Sequence, residues 1–231
     1  MINKKTLLVI GASRGIGGAI AQHFQSQGHH LYSVSRSPAH AGNWIRADIS
    51  TPSGIQKVIK TIGNTPLDAL LYMGGVWEQN AFTSDYNFRT SPDEETRFVL
   101  AVNLIAPIEL TKALAKNLSD TENPRAIYIG SLTGLDQSAS PEVANTTSKF
   151  GLRGAVQSLR LALAEENIGF TVINPGNIAT EEVIADIEEG RFNEQTPIPM
   201  SDVIETVEWI LARSPAIDVS EVNLQQRSSR S

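Results

Sequence analysis

The segment "TLLVIGASRGIG", residues 6–17, constrains the fold of this 231-residue chain more than any other. Five β-prone residues lead into a loop that contains Gly11, Gly15 and Gly17, and a helical pattern follows directly. A buried strand that passes through such a loop into a helix is typical of the first unit of a dinucleotide-binding sheet. No Gly-Lys-Ser/Thr follows, which argues against a nucleotide-triphosphate loop. A tight turn alone would also explain the glycines, so the assignment of a dinucleotide site depends on the patterns in the rest of the chain.

Apolar, β-rich runs alternate with helical patterns along the whole chain. Continuous apolar strands that alternate with helices indicate a parallel sheet covered on both faces, joined by right-handed crossovers. We therefore predict one α/β domain over residues 1–231, a doubly wound, Rossmann-type parallel sheet of about seven strands. Further strands are expected at 30–36, 44–48, 68–75, 125–131, 170–176 and 221–227, and helices at 15–27, 52–63, 92–118, 143–166 and 201–213.

Composition excludes several classes of function. The formal net charge is −6 and Lys and Arg form no run, which argues against binding to nucleic acid. The chain has no cysteine, so disulfides are excluded and a reducing cytoplasm is the expected location. We expect no membrane span, because no apolar stretch looks long enough, and no metal site, because the histidines lack zinc-like spacing.

The end of the second predicted strand indicates which dinucleotide binds. Enzymes that select NAD usually place a carboxylate there, at the ribose 2′-hydroxyl. Here the strand ends with Ser35 and Arg36, and Arg14 lies in the glycine loop. Two guanidinium groups and the Ser35 hydroxyl suit a 2′-phosphate, so the sequence predicts NADP(H); two solvated surface arginines are the alternative. Asp48, which ends the third strand, and Ile49 are expected at the adenine, where Asp48 would accept a hydrogen bond from the adenine amino group.

With these motifs in this order, the chain resembles the classical short-chain dehydrogenase/reductase family across nearly its full length. Matching residues are the loop glycines, Asp48, and the Asn103, Ser131 and Lys149 of "AVNLIAP", "YIGSLTG" and "TTSKFGL". The resemblance implies an NADP(H)-dependent oxidoreductase acting on a small molecule, and a homodimer or homotetramer built through the two long helices. It also implies cofactor contacts at Ser13, Ile16, Gly74, Gly75, Pro175, Gly176, Ile178 and Thr180.

Two positions depart from the family pattern. The usual Asn-Ala-Gly after the fourth strand is Met73-Gly74-Gly75, and the usual Tyr-x-x-x-Lys is Asn145-Thr-Thr-Ser-Lys149. In the family, the lysine lowers the pKa of the tyrosine, which gives a proton to the carbonyl oxygen that the serine holds. An asparagine amide cannot release a proton near neutral pH. General acid catalysis contributes about 10²–10⁴-fold in rate, so conventional ketone reduction should be severely weakened.

Other residues offer little compensation for Asn145. Tyr86, in the irregular segment 76–91, is the conceivable substitute, and Glu142 stands where the enoyl-reductase branch of the family has its tyrosine. Pro107 lies four residues after Asn103, so it should free the carbonyl of Asn103 and kink the helix. In the family, this carbonyl is thought to hold a water that reaches the lysine. A kink that merely curves the helix is the alternative.

Two hypotheses remain open at this stage. The first is an NADP(H)-dependent reductase that draws its proton through water and Ser131, or acts on an enone or imine. The second is an NADP(H)-binding protein with little turnover, a sensor or assembly partner; a Tyr-to-Asn inactivated reductase would have the same sequence. The acidic, proline-broken segment 181–200 is a candidate substrate lid, although a solvated helical excursion is equally compatible, and the tail 227–231 is expected to be disordered.

Overall fold

The computed structural model of the protein describes residues 4–190 and 195–227, in which parallel strands alternate with helices. The strands are β1 Thr6–Ile10, β2 His30–Ser35, β3 Asn43–Arg46, β4 Ala69–Tyr72, β5 Arg125–Ile129, β6 Gly169–Pro175 and β7 Glu221–Leu224. The helices are α1 Gly15–Ser26, α2 Pro52–Ile62, α3 Asp93–Leu100, α4 Ala106–Ser119, α5 Val143–Ala162, α6 Glu181–Glu188 and α7 Met200–Leu211. The predicted helices and strands are confirmed, with ends that differ by a few residues.

All seven strands form one parallel sheet in the order β3-β2-β1-β4-β5-β6-β7. Alternate residues of the central strands point to opposite faces, as the period of two requires. Leu8 and Ile10 pack in the core under α2, α4 and α5, whereas Leu7 and Val9 pack in the core under α1 and α7. The predicted doubly wound arrangement is therefore confirmed. Because β2 and β4 flank β1, the connections diverge there and leave a crevice at the carboxyl ends of the strands.

The long helix that precedes β5 is interrupted where Pro107 predicted an irregularity. A π-helical segment, Ala101–Ile105, joins α3 to α4, and the N–H of Ala106 donates to the carbonyl of Ala101. Pro107 lies in the first turn of α4, directly after this segment, and has no N–H to continue the helical hydrogen bonds. The segment carries Asn103, whose side chain is almost completely buried.

By length and composition, the helical stretch Asp93–Ser119 could cross a membrane, contrary to the expectation from the sequence. Half of the residues in its apolar window are buried inside the protein, against α5 and the sheet. Length and hydropathy alone are weak indicators, because a core helix that covers a sheet passes the same test.

Part of the predicted lid forms a helix of its own. Thr180 caps α6 by accepting a hydrogen bond from Val183 N–H, with 3.3 Å between the nitrogen and Oγ1. Residues 191–194 of the predicted lid and 228–231 of the predicted tail lie outside the described residues.

Candidate active site

A cleft of about 570 Å³ opens at the carboxyl ends of the strands and collects most of the predicted site residues. Its lining includes Gly11, Ser13, Arg14, Gly15, Ile16, Ser35, Arg36, Asp48, Ile49, Gly74, Gly75, Ser131, Asn145, Lys149, Pro175, Gly176, Ile178 and Thr180. Two predicted residues, Gly17 and Asn103, do not line the cleft but support its walls. The residues predicted from the sequence therefore line the cleft along its whole length, from the glycine loop to the start of the lid.

The glycine loop is shaped by close backbone approaches. Gly11 has a φ of +86°, and a Cβ built on it would lie 2.6 Å from the Cα of Gly74. A Cβ on Gly17 would lie 2.3 Å from the carbonyl oxygen of Gly11, so the helix packs directly against the loop. No side chain caps the N-terminus of α1, and its first turn carries no acidic residue. Uncapped N–H groups at a helix N-terminus that opens onto a cleft suit an anionic group.

The cleft is also lined by the two arginines that the sequence singled out, Arg14 and Arg36. Arg14 pairs with Glu182 at 2.8 Å, and the guanidinium of Arg36 lies 5.7 Å from the ring centroid of Phe98. The Ser35 hydroxyl donates to the Ser37 carbonyl at 2.7 Å, so its proton is already engaged.

Asp48 lies in the cleft beyond the end of β3. Its Oδ1 accepts from the backbone N–H of Ser50 at 3.0 Å and from the Ser50 hydroxyl at 2.7 Å. These two bonds fix the orientation of the carboxylate, and no described residue bonds to its second oxygen. The second oxygen is therefore an available acceptor.

Ser131 follows β5 and is oriented by its own turn. The hydroxyl of Thr133 donates to Ser131 Oγ at 2.9 Å, and the N–H of Thr133 approaches the same oxygen at 3.2 Å. Since Oγ accepts both bonds, the Ser131 proton is left to donate into the cleft. The role of Thr133 was not predictable from the sequence, because it depends on the 3₁₀ turn Leu132–Gly134.

Lys149 is buried, and its Nζ donates to the Ile129 carbonyl at 3.1 Å. Burial lowers the pKa of Lys149 from 10.5 to about 8. No carboxylate among the described residues pairs with it. A Cβ built on Gly75 would lie 3.5 Å from Nζ, an ordinary van der Waals distance, so Gly75 borders the ammonium.

Asn145 lies one helical turn before Lys149, and both side chains enter the cleft from α5. Its side-chain amide has no hydrogen-bond partner among residues 4–190 and 195–227. Asn103, in the π-helical segment, instead clamps the backbone of Val76: its Oδ1 accepts from Val76 N–H at 2.9 Å, and its Nδ2 donates to Val76 O at 2.7 Å. Nδ2 also approaches Ser148 Oγ at 3.1 Å, which ties this clamp to α5.

Buried carboxylates hold the N-terminus of α5 and the loop that faces it. Glu78 accepts from the N–H of Ala144 at 2.7 Å and from that of Asn145 at 3.2 Å. Glu142 accepts from the N–H of Phe82 at 2.8 Å. A carboxylate is favourable at a helix N-terminus, so Glu78 anchors the turn that carries Asn145. Glu78 could not be singled out from the sequence, because its partners lie more than sixty positions away.

None of the four tyrosines lines the cleft, and all four lie in the described residues. Tyr72 and Tyr128 are buried, and burial raises the pKa of each. Tyr86 contacts the N–H of Val143 at 3.4 Å, and burial together with the nearby carboxylates raises its pKa too. A raised pKa makes a phenol a poorer acid near neutral pH. Tyr86 is therefore no substitute for an acid at position 145.

The mouth of the cleft is aromatic on one side and acidic on the other. Trp77 and Phe82 meet edge to face, with ring centroids 6.1 Å apart, and both remain partly exposed. Glu182, Val183 and Asp186 of α6 line the opposite side. The sequence had suggested the lid, but not Phe98, which lies on α3 and lines the cleft through the packing of that helix. Among the described residues, no three His, Cys, Asp or Glu side chains could hold a metal ion.

Comparison with known proteins agrees with this architecture. The sequence profile of the family described as "short chain dehydrogenase" matches residues 5–189. Carbonyl reductase family member 4 of Xenopus laevis is 27% identical over 207 residues, covering 84% of this chain and 84% of the relative. The 3-oxoacyl-acyl-carrier-protein reductase of Escherichia coli is 28% identical over 189 residues, covering 77% and 75%.

Two solved structures share the fold. A 4-hydroxyisoleucine dehydrogenase complexed with NADH aligns with a TM-score of 0.80 at 23% identity, covering 96% of this chain and 97% of its own. A metagenomic short-chain oxidoreductase in complex with NADP aligns with a TM-score of 0.76 at 22% identity, covering 97% and 98%.

Proposed function

We propose that this chain, which belongs to the short-chain dehydrogenase family of oxidoreductases, binds NADP(H) and transfers hydride to a small carbonyl, enone or imine compound. The observation that carries this proposal is the cleft itself, which joins the glycine loop, Ser131 and Lys149 in one continuous space. Relatives with carbonyl-reductase and oxoacyl-reductase names support a reductive direction.

The residues present fit a dinucleotide phosphate. The uncapped N-terminus of α1 would hold the pyrophosphate, and Asp48 would accept from the adenine. Arg36 and Arg14 would hold the 2′-phosphate, because no carboxylate ends β2 to favour a free ribose hydroxyl. NADH is bound by one structural neighbour and NADP by another, so the preference of this chain rests on its own arginines.

At the reacting end, each side chain has a separate task. When bound, the nicotinamide supplies two electrons as hydride. Ser131 would donate a hydrogen bond to the substrate oxygen, with its hydroxyl oriented by Thr133. Lys149 would hold the cofactor ribose, as the family resemblance implies. Trp77 and Phe82 would cover an apolar part of the substrate and exclude water.

Asn145 makes the catalysis weak or unconventional in this proposal. It occupies the position at which the family resemblance places a tyrosine, and its amide can donate a hydrogen bond but no proton. Asn145 also favours a second candidate function. In that case the protein binds NADP(H) with little or no turnover, as a sensor, an assembly partner or an inactivated reductase.

Turnover and binding measured together test this proposal. NADPH oxidation would be followed with aldehydes, ketones, enones and imines, for the natural chain and for Asn145→Tyr, beside NADPH affinity by fluorescence. Oxidation by the natural chain supports the reductase. Tight binding without oxidation, with turnover gained only in Asn145→Tyr, supports the non-catalytic binder.

The cofactor preference is tested separately. Arg36→Ala should weaken NADPH binding by about ten- to a hundredfold, the range of a charge-assisted hydrogen bond, and leave NADH binding nearly unchanged. Arg97→Ala is the matched control, since Arg97 is exposed on α3 and makes only loose ion pairs at 3.9 Å. Equal effects of Arg36→Ala on both cofactors would remove the argument for NADP(H).

We further propose a cytoplasmic homodimer or homotetramer. Ile105, Phe150 and Leu161 are exposed on the long helices and would be covered in such an assembly. Light scattering of the purified protein measures its mass directly, and a monomer at micromolar concentration would contradict this.

A further inference from the structure

We propose that Lys149 itself donates the proton to the substrate oxygen, in the place of the tyrosine that position 145 lacks. This inference rests on the proposed reductase function and goes beyond the cofactor-holding part that the family resemblance assigns to this lysine.

The geometry around Lys149 supports a donor that points into the cleft. Its ammonium has three protons, and one of them is bound by the Ile129 carbonyl. The other two have no partner among the described residues, while the side chain lines the same cleft as Ser131 and Asn145. Asn145, one turn earlier on α5, lines the cleft at the position where the family resemblance places a tyrosine.

Other candidate acids in the neighbourhood are engaged or remote. The tyrosines lie outside the cleft. Glu78 accepts two backbone N–H groups of α5, an arrangement that favours a carboxylate acting as acceptor. Glu182 lines the cleft but pairs with Arg14 at its glycine-loop end. Lys149 is therefore the acid that the cleft places beside Ser131 and Asn145.

The acidity of Lys149 suits this task. Burial lowers its pKa to about 8, so most of the ammonium stays protonated at pH 7 yet can release its proton to a developing alkoxide. Burial is the whole cause of this shift; no charged neighbour contributes. On α5 itself the charged groups are Arg153, which pairs with Asp136 and Glu221, and Arg160, with Glu142 just before the helix. The neighbouring α3 carries Asp93, Glu94, Glu95 and Arg97. Glu78 binds the N-terminus of α5, and Glu182 and Asp186 line the cleft from α6. Neutral groups face it from β5 and the π-helical segment.

The proposed step balances as follows. When bound, NADPH would supply the hydride by breaking a C–H bond of its dihydronicotinamide ring. A C–H bond would form at the carbonyl carbon of the substrate, and the π pair of the carbonyl would move to oxygen. An N–H bond of Lys149 breaks, directly or through one bridging water, and an O–H bond forms on that oxygen. The electron pair stays on the lysine nitrogen, which solvent then reprotonates. An N-alkylated iminium ion needs no such proton, because hydride alone converts it into a neutral amine.

This difference provides the test. For the natural chain, the rate of NADPH oxidation would be measured from pH 6.5 to pH 10 with para-nitrobenzaldehyde and with an N-methylated cyclic iminium. The pKa of Lys149 would be read independently from its 13Cε resonance in protein carrying 13C-labelled lysine, assigned by its loss in Lys149→Arg. We expect the aldehyde rate to fall about tenfold per pH unit above the measured pKa, near 8, and the iminium rate to stay level.

A matched pair of variants completes the experiment. Lys149→Arg keeps the charge but cannot release a proton at these pH values, so the ratio of aldehyde rate to iminium rate should fall about 10²-fold or more. Lys116→Arg, on the exposed side of α4, should leave the ratio unchanged. A loss of cofactor affinity lowers both rates equally and cancels in the ratio. If Lys149 only held the cofactor or the fold, the ratio of aldehyde rate to iminium rate would therefore stay unchanged.

The outcomes separate the two proposals. An aldehyde rate that does not follow the Lys149 titration, or an unchanged ratio in Lys149→Arg, overturns the proton-donor inference while the reductase function stands. No oxidation of NADPH with either probe overturns the reductase function and the inference with it.

Discussion

Replacing Lys149 by methionine should stabilise the protein without cofactor, although the residue lies in the candidate active site. Each pKa unit corresponds to about 1.4 kcal/mol, so lowering the pKa from 10.5 to about 8 means that the buried ammonium costs the fold about 3 kcal/mol at pH 7. Methionine fills a similar volume without charge. It leaves the Ile129 carbonyl unpaired, which costs roughly 1 kcal/mol. The expected net gain is about 2 kcal/mol at pH 7.

The pH dependence of this gain follows from the direction of the pKa shift. Below pH 8 the lysine is charged in both the folded and the unfolded state, and the full cost is present. Between about 8 and 10.5 the unfolded chain binds more protons than the folded protein, so the stability of the lysine form rises with pH. At pH 10 the remaining cost is below about 1 kcal/mol, and the advantage of methionine should vanish.

Urea unfolding followed by circular dichroism, at pH 7 and at pH 10, measures both values. Lys116→Met is the control, because Lys116 is exposed and pairs only with Asp120. The reasoning would be refuted if Lys149→Met were destabilised at pH 7, or if its gain were the same at both pH values. Either result would mean that the ammonium is not desolvated as its burial indicates.

Three further changes test the walls of the cleft. Gly17→Ala should displace the glycine loop and abolish NADPH binding, because its Cβ would lie 2.3 Å from a backbone oxygen. Gly154→Ala is the control, because a Cβ there would meet no atom within 4 Å. It should raise the free energy of unfolding by about 0.5–1 kcal/mol, measured by thermal unfolding. Glu78→Ala should cost about 2 kcal/mol in urea unfolding, since two N–H groups of α5 lose their acceptor, whereas the exposed Glu94→Ala should change little. Thr133→Val should lower kcat several-fold, about 1 kcal/mol, and leave the NADPH affinity unchanged, because it removes only the hydroxyl that orients the catalytic serine; a change in affinity alone would contradict that assignment.

The parts of the fold that depend on local pattern were predictable from the sequence. The buried strands and the glycine loop carry their own signals, because apolar runs and glycine spacing act within a few residues. The position of Ser131 and Lys149 at one cleft also followed, since carboxyl ends of parallel strands converge.

Interactions between distant segments were not predictable. Asn103 clamps Val76 from 27 positions away, and Glu78 holds α5 from 66 positions away; neither contact leaves a periodic trace in the chain. Ser35 was expected to help with a phosphate, yet its proton goes to Ser37. A side chain's direction at such points depends on packing that only the folded backbone defines.

The π-helical segment Ala101–Ile105 changes the direction in which side chains point along an otherwise continuous helix. A regular helix turns about 100° per residue, so one extra residue in a turn rotates everything beyond it by that angle. Phe98, before the segment, reaches the cleft, while Ile105, at its end, faces outward. Deleting one residue here would keep both halves helical but turn the Asn103 amide away from Val76. The segment thus lets one helical stretch present Phe98 to the wall of the cleft and Ile105 to the outer surface of the protein.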